Sequence, residues 1–486
     1  MSSLVRVLAV SHVLPDEVAA GGAWPPPPPH VVELSFLDNL QVSKAAIQRL
    51  FFYDGGSLPP FESVDRSLQS SLAAVLAIFL PLAGKLAYLP EPGDVRHRLL
   101  SGCRLPRRQV RRGRVLRQRR RHAPPRQRRR APHRGVSCSS CRSLEVSMLP
   151  APLLAVQVTR PRDDHAGGGG GAVAVGVAIH HGVADGQSVW QFIKAWAAAA
   201  RGGSPAGQGL VPPTFDRSRI RHPTADSHEL AHTILHKMSP ALPMVTPRSK
   251  PADMAQQRRR TFLLSAGEIQ SLKQRISESE TGGELLHNRL STYVTISSLA
   301  WTSIVRAKCG ALDAAADDVY FMVSADCRRR LRPPADEGYF GNCIAIAIAR
   351  ASAGELLDDD GLAGLARAAA AIQAAIRDEL ELEDPVGGAE RWAERLAAIP
   401  RGRLTAAGSS HRFMAYETDF GWGAPSRVEL VTVYGNELVA MLGGAADGGV
   451  QVSVVLGRAL MDAFADNFRR QVVACPNSTV SRSRHH

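Results

Sequence analysis

The 486-residue chain has few cysteines and no long apolar run. No stretch reaches the roughly 18 uninterrupted apolar residues that a membrane-spanning helix needs, because the longest candidate, residues 72–80, ends at Pro81. The first residues lack the long apolar centre and small-residue cleavage site of a secretory signal. The seven cysteines show no framework spacing. The sequence therefore predicts a cytoplasmic protein without a membrane span or disulfide scaffold, and long enough to bury a sizeable core.

The cysteine and histidine pairs of this chain carry no zinc-finger or nucleophile signature. Cys138 and Cys141 form a C-x-x-C pair, but no second Cys or His pair stands at zinc-finger spacing. The adjacent histidines at residues 180 and 181 are not part of an H-E-x-x-H motif, and no G-x-S-x-G nucleophile elbow occurs. We therefore expect no bound metal and no covalent nucleophile of the serine-hydrolase type.

Lysine, acidic residues and aromatic residues are all absent from residues 96–142, which contain 18 arginines. These arginines exceed the net charge of +14 on the whole chain, so the remainder is net acidic. Three interpretations are open: a basic segment that binds phosphates, a solvated insertion, or a stretch read out of frame from a GC-rich gene. We favour the third, because such misreading yields Arg, Pro, Ala, Gln, His and Ser without Lys. Since aromatic stacking residues are missing, the basic charge alone does not predict a nucleic-acid partner.

Helical and strand periodicities alternate along the rest of the chain and predict a mixed α/β (α+β) fold. A short helical or mixed segment is expected at residues 45–53 and a core helix at residues 67–80. Two buried strands at residues 153–158 and 172–179 flank a Gly-rich loop and predict a hairpin. A helix with one apolar face is expected at residues 186–200.

A stretch rich in Pro and Ser divides the chain into two halves. We predict an N-terminal domain at residues 1–210, a crossover linker at residues 211–258 and a C-terminal domain at residues 259–486. Inside the first domain, residues 95–149 form an aberrant Arg-rich segment that we expect to be disordered or misread.

The densest group of reactive side chains occupies residues 178–186, where a buried strand runs into His180, His181, Asp185 and a helix. Strand ends often carry reactive groups, because the scaffold is rigid and the following loop is free. A neutral imidazole, with an unperturbed pKa near 6.5, could take the proton from a substrate hydroxyl that attacks an acyl carbonyl. Asp185 could orient the ring or fix the loop. On these residues alone, structural or metal-binding histidines remain alternatives.

A second motif, Thr-Asp-Phe-Gly-Trp-Gly, occupies residues 418–423. Its Asp-Phe-Gly letters match the magnesium motif of kinases, but no Gly-rich phosphate loop or catalytic-loop signature accompanies them. Two glycines around a tryptophan indicate a tight loop with a large packed anchor. A structural role is at least as well supported here as direct chemistry.

Together, the H-x-x-x-D motif of residues 181–185 and the D-F-G-W-G motif of residues 419–423 resemble the plant BAHD acyltransferase family. The Y-F-G-N-C block at residues 339–343 is similar to one found in members that acylate anthocyanins and other flavonoid or phenolic glucosides, often with malonyl-CoA. The resemblance extends over nearly the whole chain and breaks only between about Val95 and Leu149.

The resemblance implies two chloramphenicol-acetyltransferase-like domains of mixed sheets and helices, with an active-site channel at their interface. It implies transfer of an acyl group, with malonyl favoured, from acyl-CoA to a hydroxyl of a phenolic or flavonoid/anthocyanin glucoside. Acyl-CoA would be a co-substrate, and no cofactor would be bound permanently. Hydroxycinnamoyl-CoA and acetyl-CoA are alternative donors. The partners would be small molecules, without nucleic acid or membrane, and the protein a monomer.

The same resemblance assigns the site residues. His181 would be the general base in a ternary complex of enzyme, donor and acceptor. Structural support of the site would come from Asp185, Arg328, Asp419, Gly421, Trp422 and Gly423. The substrate or CoA channel would include Gly186, Asn342 and Phe420.

Two other function classes remain open. The condensation domains of peptide synthetases share the fold and a His-His-x-x-x-Asp-Gly block, but this chain lacks a carrier or adenylation region and has the tryptophan loop. An inactive relative that binds nucleic acid through residues 96–142 is the other class. A salt-dependent affinity for DNA or RNA that is lost on deleting this interval would support it.

Overall fold

The fold is described from a computed structural model. The described residues are 6–16, 29–55, 58–90, 97–102, 116–119, 144–160, 171–203, 209–246, 256–286, 289–313, 317–357, 361–382, 384–432 and 437–473. Most of the Arg-rich interval and the run of prolines at residues 25–28 lie outside them.

The described strands are β1 Arg6–Val7, β2 Val31–Glu33, β3 Ile47–Asp54, β4 Lys85–Pro90, β5 His97–Gly102, β6 Leu116–Arg119, β7 Ala151–Pro152, β8 Leu154–Thr159, β9 Ala172–Ile179, β10 Gln257–Leu264, β11 Asp318–Asp326, β12 Ile344–Ser352, β13 Leu404–Ala407, β14 Arg427–Leu430, β15 Leu438–Gly443 and β16 Val450–Gly457. The described α-helices are α1 Phe36–Asn39, α2 Phe61–Ile78, α3 Gly186–Ala200, α4 Ser227–Met238, α5 Ala266–Glu278, α6 Glu280–Leu285, α7 Thr292–Ala307, α8 Ala353–Leu356, α9 Leu362–Ile376, α10 Trp392–Ala398 and α11 Met461–Val473.

These strands form three mixed or antiparallel sheets. The N-terminal sheet has the order β1-β6-β8-β9-β3-β14, and the C-terminal sheet has the order β10-β16-β15-β13-β11-β12. A small sheet, β2-β5-β4-β7, lies beside them in the first half of the chain. Most neighbours are antiparallel, whereas β6 with β8, β11 with β13, and β13 with β15 are parallel. The architecture is therefore mixed α/β in both halves.

Two hydrophobic cores match the two large sheets. The N-terminal core packs α2 and α3 with the strands, and its largest buried side chains include Phe51, Phe192 and Trp196. The C-terminal core surrounds the long helix α7, whose Trp301 is fully buried. Apolar side chains at helical spacing face each core, because that face is the part of a surface helix that loses contact with water.

The two halves exchange elements across this division. Strand β14, from the second half of the chain, pairs with β3 at the edge of the N-terminal sheet, with Val428 opposite Phe51. Phe36 and Leu37 of α1, from the first half, are buried in the C-terminal core. The prediction divides the chain near residues 211–258, but both cores contain residues from both sides of that division.

Two local expectations differ from the structure. Residues 45–53, predicted as helical or mixed, contain strand β3, because Leu50, Phe51 and Tyr53 are buried between neighbouring strands. Strands β5 and β6 lie inside the Arg-rich interval that was expected to contain no such elements. The rest of that interval is outside the described residues. The described helices include none with the length and apolar character needed to cross a bilayer.

Candidate active site

The site begins at the carboxyl end of strand β9. Its eight residues are apolar and pair on one side with β8 and on the other with β3, so the strand is buried and rigid. The His180 backbone N–H continues this pairing by donating to the Leu153 carbonyl at 2.9 Å. A turn follows, closed by a 3.2 Å hydrogen bond from the Val183 N–H to the His180 carbonyl, and α3 starts at Gly186.

Gly182 in this turn leaves little room for a side chain. A Cβ there would lie 3.1 Å from Nδ1 of His180 and 3.3 Å from a methyl carbon of Val42. The Gly182 N–H donates to the same His180 Nδ1 at 3.0 Å. The close approach therefore fixes the His180 ring against its own turn.

His180 and His181 have different surroundings. The His180 ring is fully buried, and burial lowers its pKa to about 4. His181 keeps 7% of its surface exposed. Burial lowers the pKa of His181 to about 3, and the charge of Lys44 lowers it further, while a hydrogen bond with its own backbone carbonyl and the charge of Asp185 oppose the shift. Both rings are therefore neutral near pH 7, and the partly accessible one is His181.

Asp185 forms a buried, two-pronged ion pair with Arg328 from the second half of the chain. The Arg328 Nη1 lies 2.9 Å from Oδ2, and Nη2 lies 3.0 Å from Oδ1. Asp185 also caps α3, because Oδ1 accepts from the Ser188 N–H at 3.0 Å, and Oδ2 accepts from the Cys343 N–H at 2.9 Å. Burial of the carboxyl raises its pKa, but Arg328 and these donors outweigh that effect, so the pKa is lowered. The Asp185 carboxylate is thus ionised, and its hydrogen bonds hold the loop in place.

A second buried ion pair joins Asp38 of α1 to Arg217 of the crossover. The Arg217 Nε donates to Asp38 Oδ2 at 2.9 Å. Asn342 adds a third partner: its backbone N–H and side-chain Nδ2 donate to Asp38 Oδ1 at 2.9 and 2.8 Å. The same Nδ2 donates to the His181 carbonyl at 2.8 Å. This network therefore holds the backbone of His181 directly.

The network around Asp38 lies outside the motifs that the sequence contains. One signal for it was present, because Ser35 and Asp38 stand at the spacing of a helix capping box, and the structure contains that box at the start of α1. The sequence gives no indication that the Asp38 carboxylate also meets Arg217 and Asn342. Those residues lie about 180 and 300 positions further along the chain.

The Tyr339–Cys343 segment fills the space between the two arginines. The Tyr339 ring lies 5.4 Å from the Arg217 guanidinium and 5.5 Å from that of Arg328. A Cβ on Gly341 would lie 2.7 Å from the Arg217 guanidinium carbon and from the Tyr339 hydroxyl, so only glycine fits. Ser188 closes the arrangement, since its hydroxyl donates to the Gly341 carbonyl and accepts from the Gly341 N–H, each at 3.0 Å.

The loop at residues 419–423 is held by one carboxylate oxygen. Asp419 Oδ1 accepts from the backbone N–H groups of Gly421, Trp422 and Gly423 at 2.7, 2.9 and 2.9 Å. Gly421 and Gly423 have φ angles of +98° and +90°, a region that favours glycine. The Arg201 guanidinium donates to the Asp419 carbonyl, and this contact ties the loop to the end of α3.

Aromatic rings anchor the same loop. Phe420 is 1% exposed, and its ring centroid lies 4.9 Å from that of Trp196. The Tyr53 ring meets the Trp422 ring edge-on at 5.3 Å, and its hydroxyl donates to the Thr418 carbonyl at 2.6 Å. This loop therefore packs on the N-terminal core, although it lies in the second half of the sequence.

The structure separates the predicted site residues into two groups. His181, Asp185, Arg328 and Asn342 come together in one hydrogen-bonded network, whereas the 419–423 loop is held separately. Two residues predicted to line a channel have other contacts in the structure. The Phe420 side chain lies in the core, and the fully buried Asn342 binds the His181 backbone. Gly186 begins α3, where a Cβ would lie 3.1 Å from the Phe413 ring.

In the part of the chain that the structure describes, no three His, Cys, Asp or Glu side chains gather as a metal site would require. The described site presents a neutral imidazole next to tightly fixed charges. Such an arrangement can accept a proton from a substrate hydroxyl.

Comparison with known proteins gives a consistent set of relatives. The model of the Transferase family matches residues 141–471. Phenolic glucoside malonyltransferase 1 of Bemisia tabaci is 27% identical over 96% of this chain and 97% of its own length. The protein of the same name in Arabidopsis thaliana is 26% identical over 96% and 97%. A malonyl-coenzyme:anthocyanin 5-O-glucoside-6'''-O-malonyltransferase of Salvia splendens is 29% identical over 63% of each chain.

Solved structures share the fold. Vinorine synthase superimposes with a TM-score of 0.68 at 18% identity, covering 94% of this chain and 96% of its own. TRI101 of F. graminearum, solved with coenzyme A and T-2 mycotoxin, gives a TM-score of 0.64 at 15% identity, covering 89% and 96%. The predicted fold class is therefore confirmed by these superpositions.

Proposed function

Because this chain belongs to the BAHD acyltransferases of the Transferase family, we propose that it transfers a malonyl group from malonyl-CoA to a hydroxyl of a phenolic or flavonoid glucoside. His181 is the general base in this proposal. The observation that carries it is the difference between the two adjacent histidines, since His181 keeps 7% of its surface exposed while His180 is fully buried and its Nδ1 accepts from the Gly182 N–H.

The proposed reaction needs one proton transfer and no covalent intermediate on the protein. The acceptor oxygen attacks the thioester carbon while the His181 imidazole takes its proton, and the carbon–sulfur bond then breaks as coenzyme A leaves and recovers the proton. With its pKa at about 3, the ring is unprotonated at any physiological pH. The ring takes up the proton as bond formation makes the acceptor hydroxyl strongly acidic. General base catalysis of this kind typically raises the rate by about 10²- to 10⁴-fold.

The buried ion pairs support this chemistry by fixing the loop. The Asp185–Arg328 pair holds the carboxyl end of the 180–185 loop, and Asn342 donates a hydrogen bond to the His181 carbonyl. Positioning two substrates next to such a preorganised base supplies much of the remaining rate acceleration. Asp185 is a positioning residue in this scheme, because its carboxylate oxygens accept from Ser188, Cys343 and Arg328.

Lys44 supports malonyl as the donor group. Ile47 pairs with Ile179, so the residues just before β3 run beside the residues just after β9, which include His181. The half-buried Lys44 is close enough for its charge to lower the pKa of His181. A cation at this position favours a donor with a carboxylate over the uncharged acetyl group. The names of the relatives from Bemisia tabaci, Arabidopsis thaliana and Salvia splendens point the same way.

A donor and acceptor panel tests the proposal. Purified protein is incubated with malonyl-, acetyl- and coumaroyl-CoA and a series of phenolic and flavonoid glucosides, and products are identified by mass spectrometry. We expect malonylated glucosides, and a 10²- to 10⁴-fold lower kcat in His181→Ala, with the fold intact by circular dichroism. His228→Ala, at an exposed position of α4, is the matched control and should keep full activity. Wild-type turnover in His181→Ala would remove this base from the mechanism.

Lys44→Gln separates donor recognition from catalysis. We expect its KM for malonyl-CoA to rise about tenfold and its KM for acetyl-CoA to stay close to the wild-type value, because only malonyl carries the carboxylate. An equal change for both donors would contradict the role of Lys44. Efficient use of coumaroyl-CoA alone would replace malonyl with a hydroxycinnamoyl donor. We further propose that the protein is a cytoplasmic monomer. Light scattering on the purified chain tests its monomeric state.

A further inference from the structure

We propose that Cys327 and Cys343 are a modification site, at which a peroxide converts the two thiols into an intramolecular disulfide that slows acyl transfer. Their sulfur atoms lie 3.3 Å apart in the reduced protein. Both side chains are fully buried in the C-terminal core. The effect on transfer rests on the proposed function, whereas formation of the disulfide does not.

Backbone geometry supports the linkage. The last paired residues of β11 and β12 are Asp326 and Ile344, so Cys327 and Cys343 face each other one position beyond the ladder. The Cys327 N–H still donates to the Cys343 carbonyl at 3.0 Å. Opposed residues of antiparallel strands have Cα separations of about 4.5–5.5 Å, and these values fall inside the range of about 4.4–6.8 Å that disulfides span.

The chemistry balances with hydrogen peroxide as the oxidant. One thiolate attacks a peroxide oxygen, the O–O bond breaks, and a sulfenic acid and hydroxide form. The second thiol attacks that sulfur, the S–O bond breaks, and water leaves. Two thiols and one peroxide thus give one disulfide and two water molecules. The contact with Cys327, together with burial, raises the pKa of Cys343. Oxidation should therefore be slow near neutral pH and faster in alkaline solution.

The pair lies next to the groups that hold the active-site loop. Cys327 precedes Arg328, and Cys343 follows Asn342. The Cys343 N–H also donates directly to Asp185 at 2.9 Å. Forming the bond requires the sulfur atoms to approach by about 1.2 Å, to an S–S length of about 2.05 Å. This movement pulls on the backbone that carries both partners of the His180–Asp185 loop, so oxidation should displace His181.

Thiol mapping tests the site without reference to activity. The full chain is treated with hydrogen peroxide at about pH 7 and about pH 9, unreacted thiols are alkylated, and peptides are analysed by mass spectrometry. We expect a Cys327–Cys343 cross-linked peptide that forms faster at the higher pH and disappears with dithiothreitol. Cys343→Ser and Cys327→Ala should each abolish it, while Cys309→Ser, at an exposed cysteine, should not. Alkylation of both buried cysteines after Cys309 has been oxidised would overturn the proposal.

Activity tests the coupling to the active site. The kcat/KM of the oxidised wild-type protein should fall roughly tenfold or more and return with dithiothreitol, because a displacement of about 1 Å can cost as much as 10²-fold. Relative to its own untreated rate, Cys327→Ala should lose much less. Complete cross-linking with unchanged kcat/KM would refute the coupling. Absence of acyl transfer before oxidation would instead refute the proposed function, and the thiol map would still decide whether the disulfide forms.

Discussion

The two motif loops of this protein are tight for different physical reasons. The loop at residues 180–185 is held by charged and polar partners from distant parts of the chain, namely Arg328, Asn342 and, through Asn342, Asp38. The loop at residues 419–423 is held by its own Asp419, which accepts from three backbone N–H groups within four residues. The hydrogen bonds that hold the first loop depend on the assembled fold, whereas those that close the second loop come from within it.

This difference predicts how strongly substitutions in each loop change the stability of the protein. A buried ion pair stabilises little relative to an apolar replacement, but removal of one partner leaves an uncompensated charge in a region without water. A loop closed by backbone hydrogen bonds loses only those bonds when its carboxylate is removed. The 180–185 loop should therefore respond to substitution with large changes in stability, and the 419–423 loop with smaller ones.

Breaking the Asp185–Arg328 pair should have the largest effect. In Asp185→Asn, Arg328 keeps its charge at a buried position without its main partner, so the free energy of unfolding should fall by about 3–5 kcal/mol. Urea unfolding followed by circular dichroism measures this change. The control is Arg350→Ala, which removes an exposed ion pair with Asp318 and should cost less than about 1 kcal/mol. Equal losses in the two variants would contradict the role of burial.

Removing the Asn342 side chain should have the next largest effect. Asn342→Ala leaves the His181 carbonyl without its donor and takes one donor from Asp38, which should cost about 1–3 kcal/mol of stability. The kcat of acyl transfer should fall with little change in KM, because the loop that carries His181 loses its position. Asn342→Asp is the informative partner, since it places a second carboxylate against Asp38 and should be worse than Ala. An Asp variant as stable as wild type would argue against the observed contacts.

Substitutions in the 419–423 loop should have smaller effects. Gly423→Ala puts a side chain at a positive φ in an otherwise open position, so strain alone should cost about 1–2 kcal/mol. Gly267→Ala in the first turn of α5 is the matched control, because its Cβ would also meet open space and its φ is not positive. There alanine should be neutral or stabilising by up to about 1 kcal/mol. Thermal unfolding distinguishes the two outcomes.

The pH dependence of stability should reflect the two buried histidines. The pKa values of His180 and His181 are about 4 and about 3, both below the value near 6.5 expected in the unfolded chain. Between these values the unfolded state binds more protons, so the free energy of unfolding should decrease as pH falls from about 6.5 towards 4. His181→Gln should flatten this decrease, and His228→Ala should leave it unchanged. A slope unaffected by His181→Gln would show that other groups cause the acid loss.

Local pattern accounts for much of what could be predicted. Helix α3 was expected at residues 186–200 and has those bounds, because its apolar spacing and the Asp185 cap both lie within one segment. The hairpin of β8 and β9 was also expected, and its two strands pair as predicted. In these elements the apolar pattern that defines each element lies within a short stretch of sequence.

Long-range contacts account for what could not be predicted. Asp38 and Arg217 meet inside the protein through the packing of α1 against the crossover, and no spacing in the sequence encodes that meeting. Phe420 was assigned to a channel because its motif is functional in the resemblance, yet its ring packs on Trp196 in the core. The Asp185–Arg328 pair was expected only through the resemblance, and the structure contains it.

Strand β14 joins the two halves of the chain through a shared β-sheet. It completes the edge of the N-terminal sheet beside β3, with Arg427–Leu430 opposite Arg49–Phe52. A fragment that ends near residue 258 would leave the backbone groups of β3 unpaired at an open edge, which is a template for aggregation. The first half of the chain therefore relies on a strand from the second, and we expect a gene split at the crossover to yield soluble protein only by co-expression of both pieces.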